Sequence, residues 1–455
     1  MGIFGALTTA VTGMQAQSFA LQNISGNIAN SQTTGFKRID TSFVDLIPET
    51  TIWQQMAGNV VANSSSTNTV QGDIQSASVS TYMAINGQGF FVVEKPDSFN
   101  GNTPTFSSTD LYTRRGDFQL DQNGYLINGA GYYLMGIPID PATGNPAGSV
   151  PQTLQFQNSY LAAQATSEID YQANLASYPK TANSDSSVPG SELINPADFS
   201  TSPSTSVVAS DNSTFLNESI AGGTVTAYDS GGTPVNVQLR WAKTDSVSLG
   251  AGHSDTWNLF YETDSTATGS QVQWVNAGTD YTFGANGELN PPISSITLSG
   301  VTVDGISLGD IQLVHGTDGI TQFADSNGDV QVNQIQQDGF PAGQLQSIAI
   351  GDKGRIVGTY SNGRTIDLAE VTLANFSGAN MLQRIDGGAF QETGESGPPT
   401  YNAPGTIVGS SLEGSNTDIA DEFTKLIVTQ QAYSANTRVI TTSNTMVQDL
   451  LNMLR

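Results

Sequence analysis

Apolar residues return every seven positions at both ends of this chain. Towards the C-terminus Ile419, Leu426, Tyr433, Ile440, Val447 and Leu454 hold that spacing, and residues 415–455 contain neither Gly nor Pro. A sustained seven-residue repeat predicts one long α-helix with a narrow apolar seam. Towards the N-terminus Phe4, Leu7, Val11, Met14, Leu21 and Ile28 follow a four-and-three rhythm over residues 3–29. Gly13 and Gly26 weaken that second helix, at about 1 kcal/mol each relative to Ala. Neither seam makes a core by itself. Each helix needs a partner, from the other end of this chain or from another copy, and these twelve residues are the expected subunit interface.

Between the ends the pattern is β. Residues 82–93 read as strand, Gly turn, strand, and Asp121-Gln122-Asn123-Gly124 is a hairpin turn, because Asn-Gly accepts positive φ at low cost. The order "apolar, three turn residues, Gly, one residue, apolar" occurs at Leu120/Gly124/Leu126, Phe283/Gly287/Leu289 and Ile350/Gly354/Ile356. Strands are expected over 224–228, 235–241, 256–261 and 296–303, and again over 344–350 and 365–376. Ser415-x-x-Asp418 reads as a capping box for the last helix. The fold class is α+β: terminal helices forming a coiled-coil core, with mainly-β domains of hairpin, sandwich or barrel type between them. The expected domains are a helical core at 1–30 and 416–455, an extended connector at 31–72, a β-rich middle domain at 73–175 and 336–415, and an inserted outer β domain at 176–335.

Charge sharpens this division. The chain of 455 residues carries a formal charge of −26, and residues 116–352 hold 24 Asp and Glu against only Lys180, Arg240 and Lys243. Such a segment is repelled by nucleic acid and anionic lipid and reads as a solvated outer surface. No run approaches the roughly 20 apolar residues of a membrane helix, so no membrane insertion is expected. There is no Cys, and His253 and His315 stand far apart, each in a turn-rich stretch. Gly87-x-Gly89 lacks the rest of a dinucleotide loop, and the Gly of Asp325-Ser326-Asn327-Gly328-Asp329 falls one place too early for a calcium loop. Both read as turns. Arg114-Arg115 reads as a packing or salt-bridge pair, and Trp241 and Trp257 as core. No residue set supports catalysis, a cofactor or a metal.

The residues do resemble a known family. Asn23-Ile24-Ser25-Gly26-Asn27-Ile28-Ala29-Asn30 and Thr33-Thr34-Gly35-Phe36-Lys37 are similar to the N-terminal signature of bacterial flagellar rod and hook axial proteins. The run 412–418, then Glu422-Phe423, Ile427-Val428 and Gln430-x-Ala432-Tyr433-x-Ala435-Asn436, resembles their C-terminal signature, with Thr417 where Val is usual. Residues 86–91, 112–118 and 360–365 are also family-typical. The likeness covers roughly 1–140 and 335–455. Rod members lack a large middle insertion, so the likeness is greatest to hook members. It implies a helical homopolymer that forms a curved tubular universal joint outside the cell. It also implies export through the flagellar type III apparatus, and distal rod, hook cap and hook–filament junction proteins as partners. A distal rod-type protein, or a secreted β-rich adhesion protein that oligomerises through its terminal helices, is the alternative reading. The terminal helices are expected to order only on assembly, since fixing each backbone residue costs about 1–2 kcal/mol.

Overall fold

The computed structural model describes residues 3–46, 58–140, 143–156, 160–401 and 404–453. Leu454, and Ile47, Trp53 and Met56 of the expected connector, lie outside them. The chain divides into two compact units, one made of residues 1–159 and 345–455, the other of Tyr160–Gln344. The fold is α+β, with helices at the two ends of the chain and mostly β-structure between them.

In the first unit α1 (Ile3–Ala29) opens the chain. The expected connector then carries an antiparallel pair, Ile39–Leu46 with Asn59–Ser66. Its alternation was invisible in the sequence because Phe43, Val44, Leu46 and Val61 stay exposed, so no buried face imposes a period of two. The central sheet runs in the order 343–350, 355–360, 365–371, 133–138, 90–100, 103–113, 389–391, 383–385. Strand Phe90–Asn100 is buried on both faces where it begins. Phe91 and Val93 enter a core with Met83, Ile85, Phe118, Leu134 and Ile356. Phe90 and Val92 enter a second core with Tyr112, Phe376 and Phe390.

The second unit is built on two sheets. One is antiparallel, in the order 206–208, 272–283, 255–262, 234–245, 220–228. The other centres on Glu168–Ala176, which pairs in parallel with Ile306–Val314 and Ile320–Phe323 and antiparallel with Gln331–Gln337. The sequence reading placed that central strand in the middle domain, ahead of an insert beginning at 176. Tyr171, Trp241, Trp257, Tyr281, Leu298 and Ile311 share one core drawn from both sheets. A smaller core lies around Phe215 of α2 (Asn212–Glu218), with Phe260 and Trp274.

The three Gly-turn patterns close alike. Leu120 pairs with Leu126, Phe283 with Leu289 and Ile350 with Ile356. Gly124, Gly287 and Gly354 take φ of 82°, 78° and 77°, the left-handed region a side chain resists. Two expectations are corrected. Asp418, not Ser415, caps the last helix: its Oδ1 accepts from the Ala420 and Asp421 amides at 2.8 and 3.3 Å. His315 occupies no surface turn. It follows strand Ile306–Val314 directly and is fully buried.

Candidate assembly site

The two chain ends meet the β-core at one buried carboxylate, Glu413. It is fully buried, on the short strand Ser411–Glu413 that pairs with Ile74–Ser76. Lys37, also fully buried, donates to its Oε1, and Arg114 donates to its Oε2 at 3.1 Å. The Gly72 amide donates to Oε1 at 2.9 Å, and the Gly35 amide donates to the Glu413 carbonyl at 2.8 Å. Gly35 has φ 66°, and a Cβ there would lie 2.8 Å from the backbone of Arg114 and Arg115, so both conformation and space demand glycine. Burial pushes the Lys37 and Arg114 pKa values down, while Glu413 opposes that shift in both. Arg114 also donates to the Gly87 carbonyl at 2.8 Å and lies over the Phe90 ring. Its neighbour Arg115 pairs with Asp117 at 2.8 Å. The paired arginines of the sequence are therefore a salt-bridge pair, each with its own carboxylate.

The next turn of the same segment ties in the helices. Asn416 accepts from the Arg38 amide at 2.7 Å and donates to Thr67 Oγ1 at 3.1 Å. Helix α3 (Ile419–Met453) then starts, and its Glu422 is fully buried. Asn27 of α1 donates to Glu422 Oε2 at 3.1 Å while it brackets Ile39, donating to its carbonyl and accepting from its amide at 2.9 Å each. Lys425 bridges Glu422 and Asp40. Farther along, Thr437 Oγ1 lies 3.7 Å from Met14 Sδ, and a Cβ on Gly13 would lie 3.0 Å from Asn436 Nδ2. Contacts thus run from Asn27–Glu422 to Gly13–Asn436, so α1 and α3 lie antiparallel.

The face that α1 buries is made mainly of small residues, Ala10, Gly13, Ala16 and Ala20, followed by Ile24 and Asn27. Leu7, Val11, Met14, Leu21 and Ile28 sit beside it and are half-buried, and Phe4 is 76% exposed. On α3 the buried residues are Glu422, Thr429 and Ser443, with Leu426, Ile440 and Val447 half-buried along the same side. Ile419 and Tyr433 are exposed. Phe423, Ile427, Val428, Val439, Met446 and Leu450 are exposed as well, so α3 carries large apolar side chains among its polar ones that the described residues do not cover. Sequence reasoning passed over the small-residue face because it weights large apolar side chains. The three-and-four spacing of Ala10, Gly13, Ala16 and Ala20 was the available signal. Asn27, Glu413 and Glu422 lie in the family-like motifs, but nothing local in the sequence shows partners 299 to 395 positions away.

This arrangement is suited to holding and joining, not to reaction. Among the described residues no group of three or more His, Asp or Glu could hold a metal ion. Among the described residues no helix is long and apolar enough to cross a membrane.

Comparison with known families places each part. Residues 7–37 match the model described as flagella basal body rod protein, and 408–453 match flagellar basal body rod FlgEFG protein C-terminal. Residues 84–159 match flagellar hook protein FlgE/F/G D1 domain, and 209–340 match flagellar basal body protein FlaE D2 domain. Together they span more than half of the chain, in order. The chain belongs to the flagellar rod and hook protein family. Within this family the terminal matches contain Lys37, Glu413 and Glu422, while the D1 and D2 matches fall in the first and second units. The flagellar hook protein FlgE of Brucella suis is 28% identical over 460 residues, covering 100% of both chains. Those of Escherichia coli and Salmonella typhimurium are 28% identical, covering 98% of this chain and 100% of theirs. The solved Helicobacter pylori flagellar hook protein FlgE2 aligns with 74% of this chain at 15% identity and TM-score 0.49, too loose a likeness to carry more.

Proposed function

We propose that this chain is the structural subunit of a flagellar hook, a helical homopolymer that forms a curved tube and passes torque from rod to filament. The observation that carries the reading is collinearity. The hook relatives align from end to end, through the middle module as well as the terminal signatures, and a rod-type protein needs no such module. It is not an enzyme.

The uncovered apolar surface of α3 supports assembly through the chain ends, with α1 and α3 as the coiled-coil core of the tube wall. Six seam-class side chains at about 1.5–3 kcal/mol each would gain on the order of 10 kcal/mol on burial, before ordering entropy. In this reading Ile419, Leu426, Tyr433, Ile440 and Val447, with Phe4, Leu7, Val11, Met14, Leu21 and Ile28, meet neighbouring copies. The helices order fully only in the polymer. The subunit leaves the cell through the type III apparatus, assembles outside under a hook cap, and joins the distal rod below and the hook–filament junction above. Electron microscopy of the purified chain at high concentration tests the core claim: curved tubes of uniform width are expected, and a chain that stays monomeric under all assembly conditions would sink it.

A further inference from the structure

The Glu413 cluster is unbalanced. Lys37 and Arg114 share its single carboxylate, and a third cation, Arg384, sits against them on the strand Gln383–Ile385. Arg384 donates through Nη2 to the Lys37 carbonyl and lies over the rings of Phe36 and Phe390, at 5.5 and 5.8 Å. Its Nε is buried without a partner, and among the described residues no carboxylate pairs with it. Arg38, Arg114, Arg115 and Arg355 of this unit each have an acidic partner within 3.4 Å. Burial with nothing to offset it pushes the Arg384 pKa down to about 10. The residue as a whole is half-buried and not sealed from solvent.

An uncompensated, partly desolvated guanidinium is costly in a free subunit and favourable once a carboxylate meets its fork. The chain itself supplies the carboxylates: 41 Asp and Glu stand against 15 Lys and Arg. We infer that Arg384 is a docking cation for a second copy of this chain, whose Asp or Glu side chain neutralises it in the polymer. The inference rests on the hook-subunit reading and adds to it a polar contact outside the helical core. It also gives the site a direction. Arg384 opposes the folding of the free subunit and favours its assembly, so stability of the subunit and stability of the polymer should move apart when it is changed.

The test compares full-length wild type with Arg384→Gln and Arg384→Lys. The free subunit is followed by thermal melting, and assembly by the critical concentration in a sedimentation assay. Arg384→Gln is expected to leave the subunit melting temperature unchanged or raised, and to raise the critical concentration about tenfold, the effect of losing one charged hydrogen bond of roughly 1.4 kcal/mol. Arg384→Lys keeps the charge, and its critical concentration should lie between the other two. In mixed light- and heavy-isotope polymers of Arg384→Lys, a zero-length carbodiimide should join position 384 to an Asp or Glu of another copy, seen as mixed-isotope peptides. Equal critical concentrations for wild type and Arg384→Gln would overturn the inference. So would cross-links to residues of the same copy only, or an Arg384→Gln subunit that melts lower and assembles normally. A wild type that forms no polymer at all would instead overturn the hook reading, and the two failures cannot be confused.

Discussion

At the scale of single residues, two buried groups decide how the chain responds to mutation and to pH. Glu413→Gln removes the charge that Lys37 and Arg114 share, leaving two cations buried without an anion. Breaking a buried pair from one side costs about 3–5 kcal/mol. Denaturant unfolding of the first unit should show a loss of that size, against about 0–1 kcal/mol for Asp367→Asn, whose pair with Arg355 is exposed. A Glu413→Gln loss no larger than the Asp367→Asn loss would contradict the clamp. His315 is the second group. The Tyr171 carbonyl can only accept, so the Nδ1 that faces it at 3.0 Å carries the proton, and Nε2 accepts from the Tyr281 hydroxyl at 2.8 Å. Tyr171, Tyr281, Gln172 and the Ser294 backbone surround it, and no charged side chain among the described residues bonds to it. Burial pushes its pKa below the usual 6.5, with the Tyr171 hydrogen bond opposing. The fold therefore holds His315 neutral, while the unfolded chain takes up a proton near pH 6.5. Its contribution is complete above that pH and declines as pH falls towards the depressed folded value, by up to about 1.4 kcal/mol per pH unit. Urea midpoints of the second unit, read by tryptophan fluorescence from pH 7.5 to 5, should fall in wild type and in His253→Gln but less in His315→Gln. A flat wild-type profile would remove His315 from this role. None of this was legible in the sequence, which showed His315 only as a residue between Val314 and a Gly.

At the scale of elements, legibility depended on whether a segment buries one face in a regular way. The strands over 220–228, 234–245, 255–262 and 295–303 overlap the expected ranges, because each lays one face into the two-sheet core, with bulges at Ala221/Gly223 and Leu298/Val301 shifting the period. The Gly turns were legible for a chemical reason, positive φ. The pair Ile39–Leu46 with Asn59–Ser66 was not, because it has no buried face. The helices fall between these cases. Their existence and length followed from the period, and in α3 also from the absence of Gly and Pro, but the face α1 turns to α3 did not, since close approach selects Ala and Gly over Leu. A test of the remaining face follows from this split. Val428 and Met446 are exposed on α3, so an Asp at either position leaves the face towards α1 intact but puts a charge in the contact of the polymer, at a cost of several kcal/mol once that contact is covered. Val428→Asp and Met446→Asp should abolish sedimentable polymer at subunit concentrations where Asp329→Asn, an exposed position on the second unit, assembles like wild type. Similar yields for the α3 variants and the second-unit variant would mean that the exposed α3 surface is not the polymer contact.

At the scale of the whole molecule, the division at Tyr160 and Gln344 sets the last expectation. The chain leaves the first unit and returns to it at neighbouring points, because Tyr160–Leu161 pairs antiparallel with Gln344 and Gly343. A module held by two adjacent strands can be removed without reopening the unit that holds it. Its cores are also its own: Trp241, Trp257 and Tyr281 on one side of the antiparallel sheet, Phe215, Phe260 and Trp274 on the other. Residues 160–344 expressed alone should therefore be monomeric and unfold in one cooperative transition. Charge argues for a mechanical role. The module has only three cations, and all are engaged internally: Lys243 with Asp255 at 2.9 Å, Arg240 with Ser219, and Lys180 with the Ser326 carbonyl. Its surface is thus almost purely anionic, and in the proposed tube neighbouring modules would meet through wet, mutually repelling contacts that slide more easily than they lock. A chain in which 162–342 is replaced by a short Gly/Ser turn retains Lys37, Arg114, Glu413 and both helices, so it should still polymerise. If contacts between modules select curvature, its tubes should be straighter or less regular, and added salt should change wild-type curvature more than it changes the deletion's. Unchanged curvature would make the module mere covering. Loss of assembly in a deletion whose remaining unit is folded would place the module in the load path itself.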